Sequence, residues 1–445
     1  MKKYPLLLIT ALLSISGCKK NPKTSDGSQK EEITTNMISE SIEDEESSEE
    51  SSEEISENNK LPFKDISNFL INNDYSINFS TSGALEGKDY GPGYVKHMDN
   101  YFQTYNLVDD ALTLYYFEKD AGLFNIIPAR DESDNILYYD VDYIKDNNFD
   151  FVMNNFFEVY KVLMKAISDS KYAPVDTDLG YQILIGEESS PELLVKFVVN
   201  DDALTDIYFE TPNYNFISSI SELNSTMFEI PTINGLDLLT HASYSKETLL
   251  SGKAIGFELD VTVEDIDKDD GVIPFVDAYV ETNLVPEDDD VIHMIAHRDD
   301  KDIEYFYTSE IDELTSEKGY FEYSFDEAEN KWIKKETSDV TFNLIYSAVE
   351  TFKDLLSLNN KEARNLIDSS LTISDNSYII HNEKDGEISD RQYDYDGLDL
   401  IKLESSSTKN TEVTSGVYAN LKASSFYSNI RRLTDYVVLD DKVYN

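Results

Sequence analysis

The chain has 445 residues, 88 of them Asp or Glu and 37 Lys or Arg, for a formal charge of −51 at neutral pH. Such a surface repels nucleic acid and anionic lipid headgroups and attracts cations and basic partners, which excludes nucleic-acid binding. With 30 Tyr, 22 Phe and one Trp there is aromatic surface for sizeable cores, and with a single Cys no internal disulfide can brace them.

Met1-Lys2-Lys3 precedes an apolar stretch from Leu6 to Leu13, the layout of a secretory signal, and that stretch is too short to span a bilayer. Ile15-Ser16-Gly17-Cys18 follows and resembles the lipobox of bacterial lipoproteins. The resemblance implies diacylglycerol transfer to the Cys18 thiol and cleavage after Gly17. Residues 1–17 are then a signal peptide, and Cys18 is a lipid-anchored N-terminus on the extracytoplasmic face of the cell membrane. No later stretch is long and apolar enough to cross a membrane, so lipid is the expected anchor.

Residues 18–60 read as a disordered acidic tether. From Lys19 to Lys60 there is no aromatic residue, and between Glu31 and Glu57 stand twelve acids and no Lys or Arg. Such a segment cannot bury enough apolar surface to offset its ordering entropy, so it serves as a spacer that lifts the body off the membrane. A binding tail for a basic partner or for calcium is the alternative.

The remainder reads as two copies of one unit, 61–233 and 234–445. Four matches in order support this. Asn68-Phe69-Leu70 with Tyr75 to Phe79 matches Thr248-Leu249-Leu250 with Ile255 to Leu259, and Asp99 to Thr104 matches Asp277 to Thr282. Phe157 to Leu163 then matches Val349 to Leu355, and Leu204 to Glu210 matches Leu398 to Glu404. Each copy contains one long amphipathic helix, because Val152, Phe156, Val159, Leu163 and Ile167, and again Phe342, Ile345, Val349, Phe352 and Leu356, recur at three- and four-residue steps. Asn148 and Ser338 or Asp339 are the expected N-caps. Segments of period two flank the helices, among them Leu112 to Phe117, Tyr181 to Ile185, Leu193 to Val199, Ile303 to Tyr307, Phe321 to Phe325 and Leu398 to Leu403. The expected fold is α+β: two tandem copies of a curved antiparallel sheet packed on a long helix, half-barrel-like. Leu112, Leu114 and Tyr116 point one way while Tyr115 and Phe117 point the other, so the face that no helix covers must meet the second copy, a closing sheet or a bound hydrophobic molecule. Element order, two-faced strands and lipobox together resemble the LolA-like and LppX/LprG-like lipoprotein carriers. That resemblance implies a half-barrel holding acyl chains, but no residue motif of those families is matched.

Sequence signatures of common chemistry are missing: there is no Gly-x-Ser-x-Gly, P-loop, His-Glu-x-x-His or Cys pair. His293 and His297 stand four apart in a stretch that alternates like a strand, where they would lie about 13 Å apart, too far to share one metal. Asp265, Asp267 and Asp269 form the candidate calcium site, in a stretch that departs from the EF-hand pattern and also reads as an acidic hairpin tip ending in Asp-Gly. Tyr101 to Tyr105, Tyr305 to Tyr307 and Tyr320 to Tyr323 suit either sugar stacking and acyl lining or ordinary sheet-edge packing. The expected function is an anchored carrier for an apolar or amphiphilic ligand, with no catalytic residues assigned. A surface interaction or adhesion protein is the alternative, and a carboxylate-dependent hydrolase comes third.

Overall fold

The structure, a computed structural model, describes residues 60–424 apart from 84–91, 108–109, 119–121, 145–172, 188–189, 266–271, 288–289, 299–300, 313 and 385. The lipobox (Ile15, Ser16, Gly17, Cys18), the expected tether up to residue 59 and the helix expected over Val152 to Ile167 lie outside the described residues.

Period-two alternation gives two antiparallel sheets of eleven strands each. The first half of sheet 1 is β1 (Tyr75–Gly83), β2 (Gly93–Met98), β3 (Tyr101–Asn106), β4 (Ala111–Glu118), β5 (Gly122–Arg130) and β6 (Ile136–Tyr143). Its second half is β7 (Val175–Thr177), β8 (Gly180–Glu187), β9 (Ser190–Asn200), β10 (Ala203–Thr211) and β11 (Tyr214–Ser221). Sheet 2 begins with β12 (Ala254–Asp265), β13 (Val272–Asn283), β14 (Val291–Arg298), β15 (Lys301–Ile311), β16 (Lys318–Asp326) and β17 (Lys331–Glu336). It ends with β18 (Leu371–Ser374), β19 (Ser377–Lys384), β20 (Glu387–Asp396), β21 (Asp399–Lys409) and β22 (Glu412–Ser424). Sheet 1 runs β6-β5-β4-β3-β2-β1-β11-β10-β9-β8-β7, and sheet 2 repeats that order strand for strand, from β17 through β12 and β22 to β18. In both, the first strand pairs with the last: Ser76 faces Ser221, and Leu259 faces Tyr418.

The described residues are therefore mostly β. Among the described residues the α-helices are α1 (Ile66–Asn72), α2 (Leu236–Leu250), α3 (Val340–Leu356) and α4 (Lys361–Ser370). Most connections among the described residues are short hairpins, and one of the longer ones is the crossover between β17 and β18. That crossover holds α3, and the whole expected stripe of Phe342, Ile345, Val349, Phe352 and Leu356 is buried. Asp339 is its N-cap residue, although its carboxylate accepts from the Asn343 side chain at 3.0 Å rather than from a backbone N–H.

Inward tyrosines tie sheet to helix. Tyr393 donates to Leu355 O at 2.7 Å and Tyr418 to Ala348 O at 3.0 Å, while in sheet 1 Tyr75 donates to Leu70 O on α1 at 2.9 Å. Phe352 stacks on Phe257 and lies against Tyr418, all buried. Burying each such ring contributes about 2–3 kcal/mol.

Strand β4 shows what its two apolar faces do. Tyr115 packs in the core of sheet 1 with Phe102 and Leu123, whereas Tyr116, Phe124, Ile126 and Val141 join a core shared with α2, α3 and sheet 2. Of the three fates open to the uncovered face, contact with α2, α3 and sheet 2 is the one seen, although Leu112 at the far end stays 61% exposed. Edge strand β6 is closed by the same contact: Asn359 Nδ2 donates to Asp142 Oδ1 at 2.9 Å, and Ser243 Oγ accepts from Tyr143 N at 2.7 Å. An edge covered in this way cannot recruit a further strand.

Candidate functional site

The last turns of α2, the start of β21 and the end of β22 wall a pocket of about 300 Å³ that is open to solvent on one side. Its lining is Ser245, Thr248 and Leu249 from α2, Asp399, Leu400 and Ile401 from β21, and Asn420 and Leu421 from β22. Half of it is aliphatic and half polar, with Asp399 the only charged group.

Two irregular pairings shape this wall. Tyr395 pairs with Leu400 and Asp394 with Lys402, which leaves Ile401 as an extra residue in β21. The bulge resets the phase, so Leu400 and Leu403 are both buried although three apart. In β22, Lys422 pairs with Gly256 and Ala419 with Glu258, so Asn420 and Leu421 together face Phe257. Asn420 takes the left-handed conformation there, at φ 49°. Asn tolerates that region better than most residues because its short amide bonds locally. The hairpin that presents β21 turns on Gly397 at φ 59°, between Asp396 and its partner Asp399.

Beneath the pocket lies a polar seam. Ser245 is 1% exposed and Tyr395 2%, and the His241 ring, one turn before Ser245, sits 4.9 Å from that of Tyr395 and 5.9 Å from that of Tyr378. Burial raises the Tyr395 phenol pKa well above its ordinary value, and the nearby Ser245 hydroxyl works against the rise, so the two hydroxyls face each other. Neither completes a hydrogen bond of good geometry, and neither does His241 Nδ1. Burial also lowers the pKa of His241, opposed by Asp237 and Glu118, which favours the neutral imidazole.

The residues picked out by sequence lie elsewhere. His293 and His297 are both on β14, as a strand reading requires. His293 stands between Glu281 at 3.2 Å and Glu304 at 2.9 Å, and His297 between Asp302 at 2.7 Å and Glu258 at 3.0 Å. These contacts push the His297 pKa up to about 9, chiefly through its bonds to Asp302 and Glu258, and the bond from His293 holds Glu281 below the usual carboxylate range. Each histidine thus bridges two carboxylates. Among the described residues no group of three His, Cys, Asp or Glu is arranged to hold an ion. Asp265 closes β12, paired with Glu412 across the sheet, while Asp267 and Asp269 fall in the connection to β13 outside the described residues.

Three described carboxyls are raised: Asp140 to about 6 by burial and by Asp142, Asp290 by burial, and Asp260 by desolvation and by Asp277 opposite it. None lines the pocket. Asp290 is engaged by Tyr346 OH at 2.5 Å, Asn283 Nδ2 at 2.8 Å and Glu287 N at 2.7 Å, a structural lock on the approach to β14. The tyrosine rows are mostly packing: Tyr307 and Tyr323 are buried, Tyr305 stacks on Tyr307, and Tyr320 lies against Phe342 of α3.

Sequence reasoning passed over Ser245, Ile401 and Asn420. The available signal was the Leu-x-x-Leu spacing at Leu400 and Leu403, which breaks strand alternation and marks a bulge.

No protein-family model and no curated protein matches the sequence. Among solved structures the chain is similar to a DUF1329 family protein from Desulfovibrio piger, aligned over 46% of this chain and 97% of that one at 12% identity, with a TM-score of 0.20. A likeness at that level carries nothing about function.

Proposed function

We propose that this chain is an exported lipoprotein, held by lipid on Cys18 at the extracytoplasmic face of the cell membrane, that binds a small apolar or amphiphilic ligand and does no chemistry on it. The pocket between α2 and the bulged strands β21 and β22 is the observation that supports binding, because it is concave and sets an aliphatic wall beside a few polar groups, as small-molecule sites do. Its volume of about 300 Å³ is at the small end of such sites. In this reading the two units, 61–233 and 234–445, are duplicated half-barrels, each sheet curving around its own long helix, and the segment 18–60 is the tether. Catalysis is disfavoured because the raised carboxyls lie away from the pocket. Purification of the chain without harsh detergent, followed by mass spectrometry of its organic extract, tests the binding function: a small amphiphile recovered at near-stoichiometric amount is expected, and a repeatedly empty extract contradicts it. Cys18→Ser is expected to move the protein from the membrane to the soluble fraction and to abolish incorporation of labelled palmitate. Membrane retention of that variant contradicts the anchor.

A further inference from the structure

We infer that the pocket under α2 selects an uncharged amphiphile, one that sets a hydroxyl or amide group against Asn420 and lays its hydrocarbon on Leu249, Leu400, Ile401 and Leu421. This rests on the binding function proposed above and names the ligand class. The lining holds no Lys, Arg or His, its one charge is Asp399, and the whole chain carries −51. A carboxylate or phosphate headgroup would enter a negative field and find no cation to replace its water. An ammonium would find only exposed Asp399, a contact that water screens, while losing hydration against the aliphatic wall.

Neutral polar groups are what the site supplies. Ser245 and Thr248 are neutral parts of the wall: the buried Ser245 hydroxyl is turned to Tyr395 and the Thr248 hydroxyl donates to Tyr244 O at 2.9 Å. Asn420, turned outward by its left-handed backbone, offers both a donor and an acceptor. At roughly 30 Å³ per water-sized group, the space takes about ten such groups, a small head and a short chain.

Calorimetric titration of the Cys18→Ser chain, which lacks an acyl group of its own, with 1,2-hexanediol, hexanoate and hexylammonium at equal chain length tests the selection. The diol is expected to bind at least tenfold more tightly than either ion. Ile401→Trp, at a position 49% exposed and so tolerant of bulk, is expected to abolish its binding by filling the pocket. Asn420→Gly, which keeps the left-handed backbone and removes the amide, is expected to weaken it about fivefold. Hexanoate or hexylammonium binding as tightly as the diol overturns the ligand class while leaving the binding function intact. No binding by any of the three overturns both.

Discussion

Sheets 1 and 2 share strand order and one bulge, and they differ where the pocket is. In β10 Thr205 is the extra residue between Leu204 and Asp206, and in β21 Ile401 is the extra residue between Leu400 and Lys402, the third residue of each strand. The buried pairs match as well: Leu204 with Ile207, and Leu400 with Leu403. The closing strands diverge. β11 runs unbroken against β1 from Ser221 to Tyr214, whereas β22 carries the Asn420–Leu421 bulge against β12. The helices that precede the first strands diverge too: α1 has 7 residues and α2 has 15. In sheet 2 the longer helix laid over a doubly bulged pair of strands makes the hollow. The lesson is that a repeated scaffold becomes a site through small local departures from the repeat.

The largest expected effect breaks the wall opposite the second bulge. Phe257→Ala removes a buried ring that packs on Phe352 and Tyr418 and faces Asn420 and Leu421, and is expected to lower stability by about 3–5 kcal/mol in urea unfolding. A loss below about 1 kcal/mol would mean that the bulge region is not packed as described.

Backbone geometry gives the next effect. Asn420→Val forces a β-branched residue into the left-handed region and is expected to lose about 1–2 kcal/mol, while Asn420→Gly keeps full stability. Equal behaviour of the two variants would show that β22 runs regularly, as β11 does.

The smallest effect is in the pH profile, where two histidines act in opposite directions. His97 in sheet 1 has its pKa lowered, first by burial, so the folded state resists its protonation and stability falls as pH drops below about 6.5. His297 in sheet 2 has its pKa raised to about 9 by Asp302 and Glu258. Its contribution is complete below the ordinary 6.5 and is lost as pH rises toward 9. Because its side chain is 34% exposed, solvent screening keeps that contribution small. His297→Gln should flatten the alkaline limb of midpoint against pH and leave the acid limb unchanged. An unchanged alkaline limb would remove the histidine bridges from the account.

Much of the scaffold is legible in the sequence, and the pocket is not. The α3 stripe is unambiguous because a 3.6-residue period over five positions has no strand reading. Strands announce themselves by alternation, but alternation hides register. The sequence match set Leu204 against Leu398, whereas the shared bulge sets it against Leu400, a shift of two residues that leaves every side chain on the same face. The match of Asp99–Thr104 to Asp277–Thr282 fails further, since it places the third strand of one sheet on the second strand of the other. The pocket depends on bulges, and a bulge is a property of two paired strands. Nothing in Ala419-Asn420-Leu421 taken alone says that Phe257 will face two residues.

Photolabelling locates the ligand most directly. A short alkyl diazirine with a terminal diol, irradiated on the Cys18→Ser chain and mapped by peptide sequencing, is predicted to label Thr248–Leu249, Leu400–Ile401 and Leu421, with labelling suppressed by excess 1,2-hexanediol. Competed labelling confined to sheet 1, or none that the diol competes, would contradict a binding site built at the bulges of sheet 2.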